Sequence, residues 1–382
     1  MIDPRLEKLA DVLVGYSAAV RPGDLVRLSG PAVGRPLMVA LYRRVLAAGG
    51  HPRVSIAPDE CAELLLTHGS PDQLAFADPI AQYEIERVDV SIGLWGGDNT
   101  KALSRVDPAR QAVVSQARRK YFDTFLRRAA EGQLRWTGTQ IPCHAAAQDA
   151  EMSLAQYEEF VFRAGMLQLD DPAGWWRGFS QRQQRLVDYL SGKRELRLVT
   201  PQGTDLRLGI EGRSWINCDG HENFPDGEVF TGPVEDATDG TVRYSFPAVH
   251  GGREVDGIRL VFRAGRVVEA TAEKGEAFLH AMLDQDDGAR VLGEVALGTN
   301  YAVRQYSKNT LFDEKIGGTF HAALGASYPE SGGRNKSGLH WDMVCDLRKG
   351  GMVYVDGQLI SENGRFLDET WPQPSDEGPP SG

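Results

Sequence analysis

The sequence predicts an α/β fold: an N-terminal βαβ domain with a parallel sheet, followed by a C-terminal α+β domain rich in antiparallel strands. Three observations support this. The 382 residues exceed what one hydrophobic core usually serves, since chains beyond about 250–300 residues split into domains. Strand and helix patterns alternate with short connections in the first half, as in parallel sheets. From Arg194 onward, paired alternating segments flank turn residues, as in hairpins.

The first half follows the βαβ pattern in order. Residues 24–28 have strand character, and residues 35–48 place apolar side chains at helical spacing. A pair of glycines ends this helix, and residues 52–57 form the next strand. Residues 88–94 provide a third apolar strand, and a basic helical stretch continues to Arg128. This order predicts a parallel sheet with helices packed on it.

Hairpins dominate the second half. Three pairs of strands are predicted, at residues 196–200 with 205–210, 258–262 with 267–272, and 352–355 with 359–360. One clear helix interrupts them at residues 274–283. We expect an N-terminal domain at 1–190, a C-terminal domain at 191–370, and a disordered tail at 371–382, which is rich in proline and glycine.

The composition excludes several classes of function. A net charge of -11 makes nucleic acid an unfavourable partner, because phosphate binding needs basic surfaces. No apolar run approaches the roughly 18 residues of a membrane helix, so we expect no membrane association. The four cysteines form no CxxC pair, and the N-terminus lacks the pattern of a secretory signal. We therefore expect a cytoplasmic protein without a disulfide scaffold.

Nucleophile motifs are missing from the sequence, whereas candidate metal ligands are present. There is no GxSxG elbow and no HExxH helix. In an extended segment, His340 and Asp342 project to the same side, and Trp341 projects to the other. An imidazole beside a carboxylate suits a divalent transition metal. By itself such a pair is more commonly an ordinary surface or core contact than a metal site.

Four further residues extend this set. His321 lies among small apolar residues, where it is either a core histidine or a ligand. Glu228 and Glu294 each follow a glycine and precede a valine inside apolar segments. A buried carboxylate needs a cation, which a metal, an arginine or a lysine can supply. Glu314 is a third candidate carboxylate ligand, although the adjacent Lys315 also permits a plain ion pair.

Taken in chain order, Glu228, Glu294, His321, Tyr328, His340 and Asp342 resemble the corresponding residues of the thermophilic-type metallo-aminopeptidases of family M29 (aminopeptidases T and S). The resemblance extends over most of the chain, from Tyr16 to the hairpin near the C-terminus. Its most specific motifs are FPDGEV at 224–229, LGE at 292–294, HAALG at 321–325 and HWD at 340–342. The resemblance implies metal ligation by Glu228, Glu294, Glu314, His321, His340 and Asp342. It also implies a homodimer and peptide substrates.

The chemistry follows from that implied site. Two divalent cations (Zn²⁺, Co²⁺, Mn²⁺ or Mg²⁺) that share a water lower its pKa, and one can bind the free α-amino group of a peptide. We expect the Tyr328 hydroxyl to stabilise the oxyanion of the intermediate. Glu294 or Glu314 would relay a proton to the leaving amine. The alternative role for Tyr328 is packing in the core.

Two other functions remain compatible with the sequence. His321, His340 and Asp342 also form the two-histidine, one-carboxylate set that holds Fe²⁺ in non-haem oxygenases. A ring-cleaving dihydroxypyridine dioxygenase looks like a distant relative of this chain with the same fold, and it uses such an iron site. Such a site needs neither Glu228 nor Glu294, so their presence favours the peptidase. A non-catalytic peptide-binding or metal-binding module is the third possibility.

Overall fold

The computed structural model describes residues 3–377, which form two compact units. The first unit comprises residues 3–173 together with Gly220–Pro225, and the second comprises Gly174–Asp219 together with residues 226–377. The boundary expected at residue 190 stays a prediction, and the division by contacts falls earlier, within a long helix. A short return segment at 220–225 belongs to the first unit because it adds a strand to that unit's sheet.

Helices are concentrated in the first part of the chain. Within residues 3–377 the α-helices are α1 (Pro4–Val12), α2 (Arg35–Ala47), α3 (Asp59–His68), α4 (Pro71–Leu74), α5 (Pro79–Ile85), α6 (Pro108–Ala117), α7 (Arg119–Ala130), α8 (His144–Asp149), α9 (Leu154–Ala164), α10 (Pro172–Leu190), α11 (Glu276–Leu283) and α12 (Thr310–Asp313). No helix among them is long and apolar enough to cross a membrane.

Strands are concentrated in the second part. Over the same residues they are β1 (Leu25–Pro31), β2 (His51–Ala57), β3 (Val90–Trp95), β4 (Arg135–Gln140), β5 (Glu195–Val199), β6 (Asp205–Gly209), β7 (Ile216–Cys218), β8 (Asn223–Phe224), β9 (Glu228–Thr231), β10 (Thr238–Arg243), β11 (Ala248–His250), β12 (Arg253–Val255), β13 (Arg259–Arg263), β14 (Arg266–Thr271), β15 (Leu292–Gly298), β16 (Thr319–Gly325), β17 (His340–Asp346), β18 (Met352–Val355), β19 (Gln358–Glu362) and β20 (Arg365–Phe366).

The first unit contains a five-stranded parallel sheet in the order β2-β1-β3-β4-β8. The connection from β1 through α2 to β2 is the predicted βαβ unit, with Leu25 paired to His51. Buried Val26 and Leu28 of β1 and Leu41 of α2 belong to its apolar interior. Aspartate or serine side chains cap several helices, as Asp3 does by accepting from the Arg5 amide. The predicted parallel sheet is therefore confirmed.

The second unit is built from antiparallel sheets. An eight-stranded sheet has the order β14-β13-β10-β6-β5-β18-β19-β20, and a five-stranded sheet has the order β17-β16-β15-β9-β7. The three predicted hairpins form in the eight-stranded sheet, as β5 with β6, β13 with β14, and β18 with β19. The predicted antiparallel second half is confirmed, together with its helix α11.

The main core of the second unit lies on one face of the five-stranded sheet. This apolar face contributes side chains that join the core residues of the eight-stranded sheet: Val229, Val295, Leu297, Phe320, Ala322, Leu324, Trp341, Met343 and Cys345. Because successive strand residues point to opposite faces, the intervening residues of the same strands point away from this core. Strands β15 and β16 are buried along their whole length, so the second face is covered as well.

Part of the expected disordered tail is ordered. Trp371 is buried and packs against Tyr189 at a ring-centroid distance of 4.9 Å. Residues 374–377 form a short 3-10 helix. The burial of an indole ring offsets the conformational entropy lost when this segment becomes ordered. The proline content of the segment alone would not predict that order. The rest of the expected tail lies outside the described residues.

Candidate metal centre

The second face of the five-stranded sheet gathers titratable side chains. Strand alternation brings the intervening residues of four neighbouring strands to this polar face, which carries Glu228, Glu294, His321, His340 and Asp342. The pairing register places Ala296 of β15 opposite His321, and Ala323 of β16 opposite both Glu294 and Asp342. Glu228, Glu294 and His321 are therefore neighbours across strands, whereas His340 and Asp342 are also neighbours along β17.

Small residues leave room between these side chains. They lie on the polar face at the strand positions beside the titratable groups: Ala296, Gly298, Ala323 and Gly325. Gly298 is paired with Glu228, and Gly325 is paired with His340. A larger side chain at these positions would fill the space into which the carboxylates and imidazoles project. The HAALG motif thus combines one functional side chain with the small neighbours it needs.

A β-bulge aims Glu294 at this face. The register between β15 and β16 shifts between Leu292 and Glu294, so Leu292 remains in the apolar core while Glu294 points to the polar face. A Cβ atom on Gly293 would lie 2.2 Å from the carbonyl oxygen of Ala326. Only glycine fits there, and bulges commonly re-aim a side chain beside a functional site.

The side chains of the polar face contact one another directly. His321 Nε2 lies 2.9 Å from Glu294 Oε1 and 3.5 Å from Glu228 Oε2. His340 Nε2 lies 3.5 Å from Asp342 Oδ1 and 3.7 Å from Glu294 Oε2. Glu228, Glu294 and His321 are at most 4% exposed. These groups form one continuous cluster, mostly shielded from solvent.

Backbone carbonyls orient both imidazoles. The Nδ1 atom of His321 lies 3.3 Å from the carbonyl oxygen of Glu314, and that of His340 lies 2.9 Å from the carbonyl oxygen of Ala326. An N–H at Nδ1 that donates to a carbonyl leaves Nε2 free to bind a cation. In both residues Nε2 points toward the carboxylates. This is the arrangement of histidine ligands in metal sites.

Four groups of side chains have the spacing of a metal site, with ligand atoms within 4.8 Å of one another. Three of them contain only predicted residues: Glu228 with Glu294 and His321, Glu294 with His340 and Asp342, and Glu314 with His321 and Asp342. The fourth, Cys218 with Asp226 and Glu228, includes two residues not predicted from the sequence as ligands. All six predicted ligands are thus close together, including Glu314.

The cluster carries more acidic than cationic groups among the described residues. Its carboxyl groups belong to Asp226, Glu228, Glu294, Glu314 and Asp342. The Lys315 ammonium lies 2.5 Å from Glu228 Oε1, 2.7 Å from Glu314 Oε1 and 3.2 Å from Asp226 Oδ1. The predicted Glu314–Lys315 ion pair is therefore present, alongside the placement of Glu314 near the other ligands. The contacts of Lys315 with Asp226 and Glu228 were not predictable from the sequence, because these two partners are distant in the chain.

Two buried oxygens of the cluster have no hydrogen-bond partner among the described residues, Glu228 Oε2 and Asp342 Oδ1. A buried carboxylate oxygen without a donor is costly, because it has lost its hydration without compensation. Both atoms face histidine Nε2 atoms, at 3.5 Å in each case. Carboxylate oxygens and imidazole nitrogens are the donors that Zn²⁺, Co²⁺ and Mn²⁺ accept. The residues present therefore fit divalent cations.

The pKa values show the same excess of negative charge. Burial raises the pKa of Glu228 to about 8, although the Lys315 ammonium opposes the shift. Burial would lower the pKa of His321, but the charges of Glu228 and Glu294 raise it to about 10. Burial likewise opposes the rise for His340, which the Asp342 carboxylate brings to about 9. Protons on the histidines thus supply positive charge that the carboxylates require, and a bound cation would supply it in their place.

Tyr328 lies at the rim of the cluster. Its ring packs edge-on against Phe230 and His340, at centroid distances of 5.5 and 5.2 Å. The residue is 44% exposed, which argues against packing in the core as its role. Partial burial and the nearby Glu294 and Asp342 charges raise the pKa of its hydroxyl. The phenol is therefore protonated at neutral pH and able to donate a hydrogen bond.

Comparisons with known proteins agree with this geometry. A family model described as thermophilic metalloprotease (M29) matches residues 2–366. Aminopeptidase T of Thermus thermophilus is 32% identical over 391 residues, covering 94% of this chain and 89% of its own length. Aminopeptidase 2 of Geobacillus stearothermophilus is 29% identical over 351 residues, covering 86% and 84%.

Solved structures show the same fold. The structure of wild-type AmpT from Thermus thermophilus superposes with a TM-score of 0.84 at 26% identity, over 96% of this chain and 100% of that one. The structure of 2,5-dihydroxypyridine dioxygenase from Pseudomonas putida gives a TM-score of 0.60 at 13% identity, over 96% and 98%. At this lower identity the likeness concerns the fold alone.

Proposed function

The chain belongs to the thermophilic metalloprotease family M29, and from that premise we propose that its polar face binds two divalent cations as the catalytic centre. The protein is a metal-dependent aminopeptidase that acts on peptides. The observation that carries the proposed centre is the pair of buried oxygens without a hydrogen bond within residues 3–377, Glu228 Oε2 and Asp342 Oδ1, each 3.5 Å from a histidine Nε2 atom. Each belongs to a different group of ligand atoms, so a single cation leaves part of the cluster uncompensated.

Six residues would hold the two cations: Glu228, Glu294, Glu314, His321, His340 and Asp342. Glu294 would contribute to both cations, because it is shared by the group with Glu228 and His321 and by the group with His340 and Asp342. Its two oxygens already face different histidines, Oε1 toward His321 and Oε2 toward His340. When bound, divalent cations at such a site polarise the scissile carbonyl, activate water and bind a free α-amino group.

The protein's own side chains would stabilise the developing negative charge and transfer the proton. We assign to Tyr328 the donation of a hydrogen bond to the carbonyl oxygen as that oxygen becomes negatively charged. Its position beside His340 and its raised pKa suit that role. We assign the transfer of a proton from the attacking water to the leaving amine to whichever of Glu294 and Glu314 keeps one carboxylate oxygen off the cations.

Ring cleavage by a single Fe²⁺ would use His321, His340 and Asp342. That function leaves two almost fully buried carboxylates of the polar face, Glu228 and Glu294, without a role. The dioxygenase likeness shows only a shared fold, so the peptidase remains the better supported function. Assembly as a homodimer and a cytoplasmic location stay predictions.

The proposed function is tested with metal-stripped protein and two substrates, leucine p-nitroanilide and its N-acetylated form. Restoring Zn²⁺, Co²⁺ or Mn²⁺ should restore hydrolysis of the free-amino substrate only, because an acetylated amine cannot bind a cation. Equal hydrolysis of both substrates would contradict recognition of the N-terminus. Oxygen consumption with a dihydroxypyridine and Fe²⁺, without peptide cleavage, would support the dioxygenase instead.

A further inference from the structure

Lys315 is a buried cation within the cluster. Its side chain is 1% exposed, and its ammonium contacts the carboxylates of Asp226, Glu228 and Glu314. An ammonium has three N–H donors and no acceptor, so these three carboxylates match its full hydrogen-bonding capacity. Lysine is almost never fully buried unless its charge is paired, and here the pairing is provided by its chain neighbour Glu314 and by two residues distant in sequence, Asp226 and Glu228.

The backbone fixes Lys315 from both sides. Helix α12 begins at an asparagine cap, where Asn309 accepts from the Leu311 amide, and it ends just before Glu314. The Lys315 amide donates to the Phe312 carbonyl, and the Lys315 carbonyl accepts from the Asn300 amide at 3.1 Å. The ammonium is therefore held by its backbone as well as by its three partners.

Contact with Lys315 uses one oxygen of each carboxylate. Glu228 Oε1 bonds the ammonium, which leaves Oε2 directed at His321 Nε2. Glu314 also bonds the ammonium through Oε1, while it shares a ligand group with His321 and Asp342. Glu228 and Glu314 belong to different ligand groups. The same ammonium thus connects both groups by contacting one oxygen of each carboxylate.

We propose that Lys315 is a positioning residue that holds Glu228 and Glu314 in the orientation required for binding divalent cations. This inference rests on the proposed dinuclear centre. Asp226 acts as the outer anchor of the ammonium, because it bonds Lys315 and the Gly227 amide and lies outside the six predicted ligands. Loss of Lys315 frees both ligand carboxylates to rotate away from the histidines.

Charge alone makes the opposite prediction. A fixed ammonium beside the site repels an incoming cation, so its removal would tighten metal binding if repulsion were its main effect. If orientation is its main effect, removal weakens metal binding, because supporting partners of metal ligands typically contribute 10–100-fold in affinity. The direction of the change therefore separates the two effects.

The experiment measures Co²⁺ binding to the metal-free, full-length protein by calorimetry and by visible absorption, which reports ligand geometry. The variants are Lys315→Met, Lys315→Arg and Asp226→Asn. Lys274→Met is the matched control, because Lys274 pairs with Glu254 on the surface of the same unit. We expect Lys315→Met to weaken Co²⁺ binding about 10–100-fold and to change the spectrum. Lys315→Arg should recover part of the affinity, and the control should match the wild type.

Asp226→Asn protects the test against a folding failure of Lys315→Met. It weakens the outer anchor and leaves both ligand carboxylates in place, so a smaller loss of affinity with a shifted spectrum is expected. Unchanged or tighter Co²⁺ binding in Lys315→Met would overturn the positioning role, as would an unchanged Asp226→Asn if the lysine variant does not fold. A wild type that binds no Co²⁺ would instead reject the dinuclear centre itself.

Discussion

The two faces of the five-stranded sheet differ completely in chemistry although both are buried. Val295 and Phe320 on the apolar face pack into the main core of the second unit, whereas Glu294 and His321, their neighbours in the chain, lie in a charged cluster. Burial of apolar groups stabilises the fold, but burial of carboxylates opposes folding unless a cation compensates them. Alternate residues of one strand therefore serve stability and function separately.

Glu228→Gln should have the largest effect, on metal binding and activity and not on the stability of the metal-free fold. An amide cannot replace a charged metal ligand, so we expect kcat/KM to fall by about 1,000-fold or more, which corresponds to at least about 4 kcal/mol. The melting temperature of the metal-free variant should not fall, because the substitution removes a buried acid whose pKa burial has raised. A large loss of stability with normal activity per folded molecule would contradict the division between faces.

Leu297→Ala tests the opposite face of β15. The side chain is 1% exposed and belongs to the core, so we expect a loss of about 2–5 kcal/mol in the free energy of unfolding. Denaturant titration measures this loss. Activity per folded molecule and the number of bound cations should stay near the wild-type values, and loss of bound metal at full folding would show that the two faces are not independent.

Tyr328→Phe removes one hydroxyl at the rim of the polar face. We expect kcat to fall by about 100-fold, or roughly 2.7 kcal/mol, because one donor to the oxyanion is lost. KM and the melting temperature should change little, since the ring remains and the residue is 44% exposed. Steady-state kinetics with leucine p-nitroanilide measure both constants, and full turnover would eliminate this role.

Gly293→Ala acts on both faces together. The added methyl group would meet the Ala326 carbonyl oxygen at 2.2 Å, so the bulge must shift at a cost of about 1–3 kcal/mol. Because the bulge directs Glu294, we also expect weaker metal binding. A thermal-unfolding scan with and without Zn²⁺ measures the two effects. A loss of stability without any change in metal binding would show that the bulge does not position Glu294 for metal binding.

Local pattern predicted much of the fold, and the resemblance to family M29 implied the six candidate ligands. The hairpins and the βαβ unit follow from periodicity and turn residues, and the HWD and HAALG motifs are short enough to be recognised in the sequence. Lys315 could be predicted only as a partner of its neighbour Glu314, because its bonds to Asp226 and Glu228 depend on how α12 and β9 meet. Trp371 falls within the predicted disordered tail, because its contact with Tyr189 is not visible in local composition.

The most direct test of the central claim is the number of divalent cations per folded chain in protein purified without chelator, measured by elemental analysis beside Glu228→Gln and His340→Ala. The account predicts two cations in the wild type and fewer in each variant, because the two residues belong to different ligand groups. One cation in the wild type, retained in Glu228→Gln and lost in His340→Ala, would contradict the dinuclear centre.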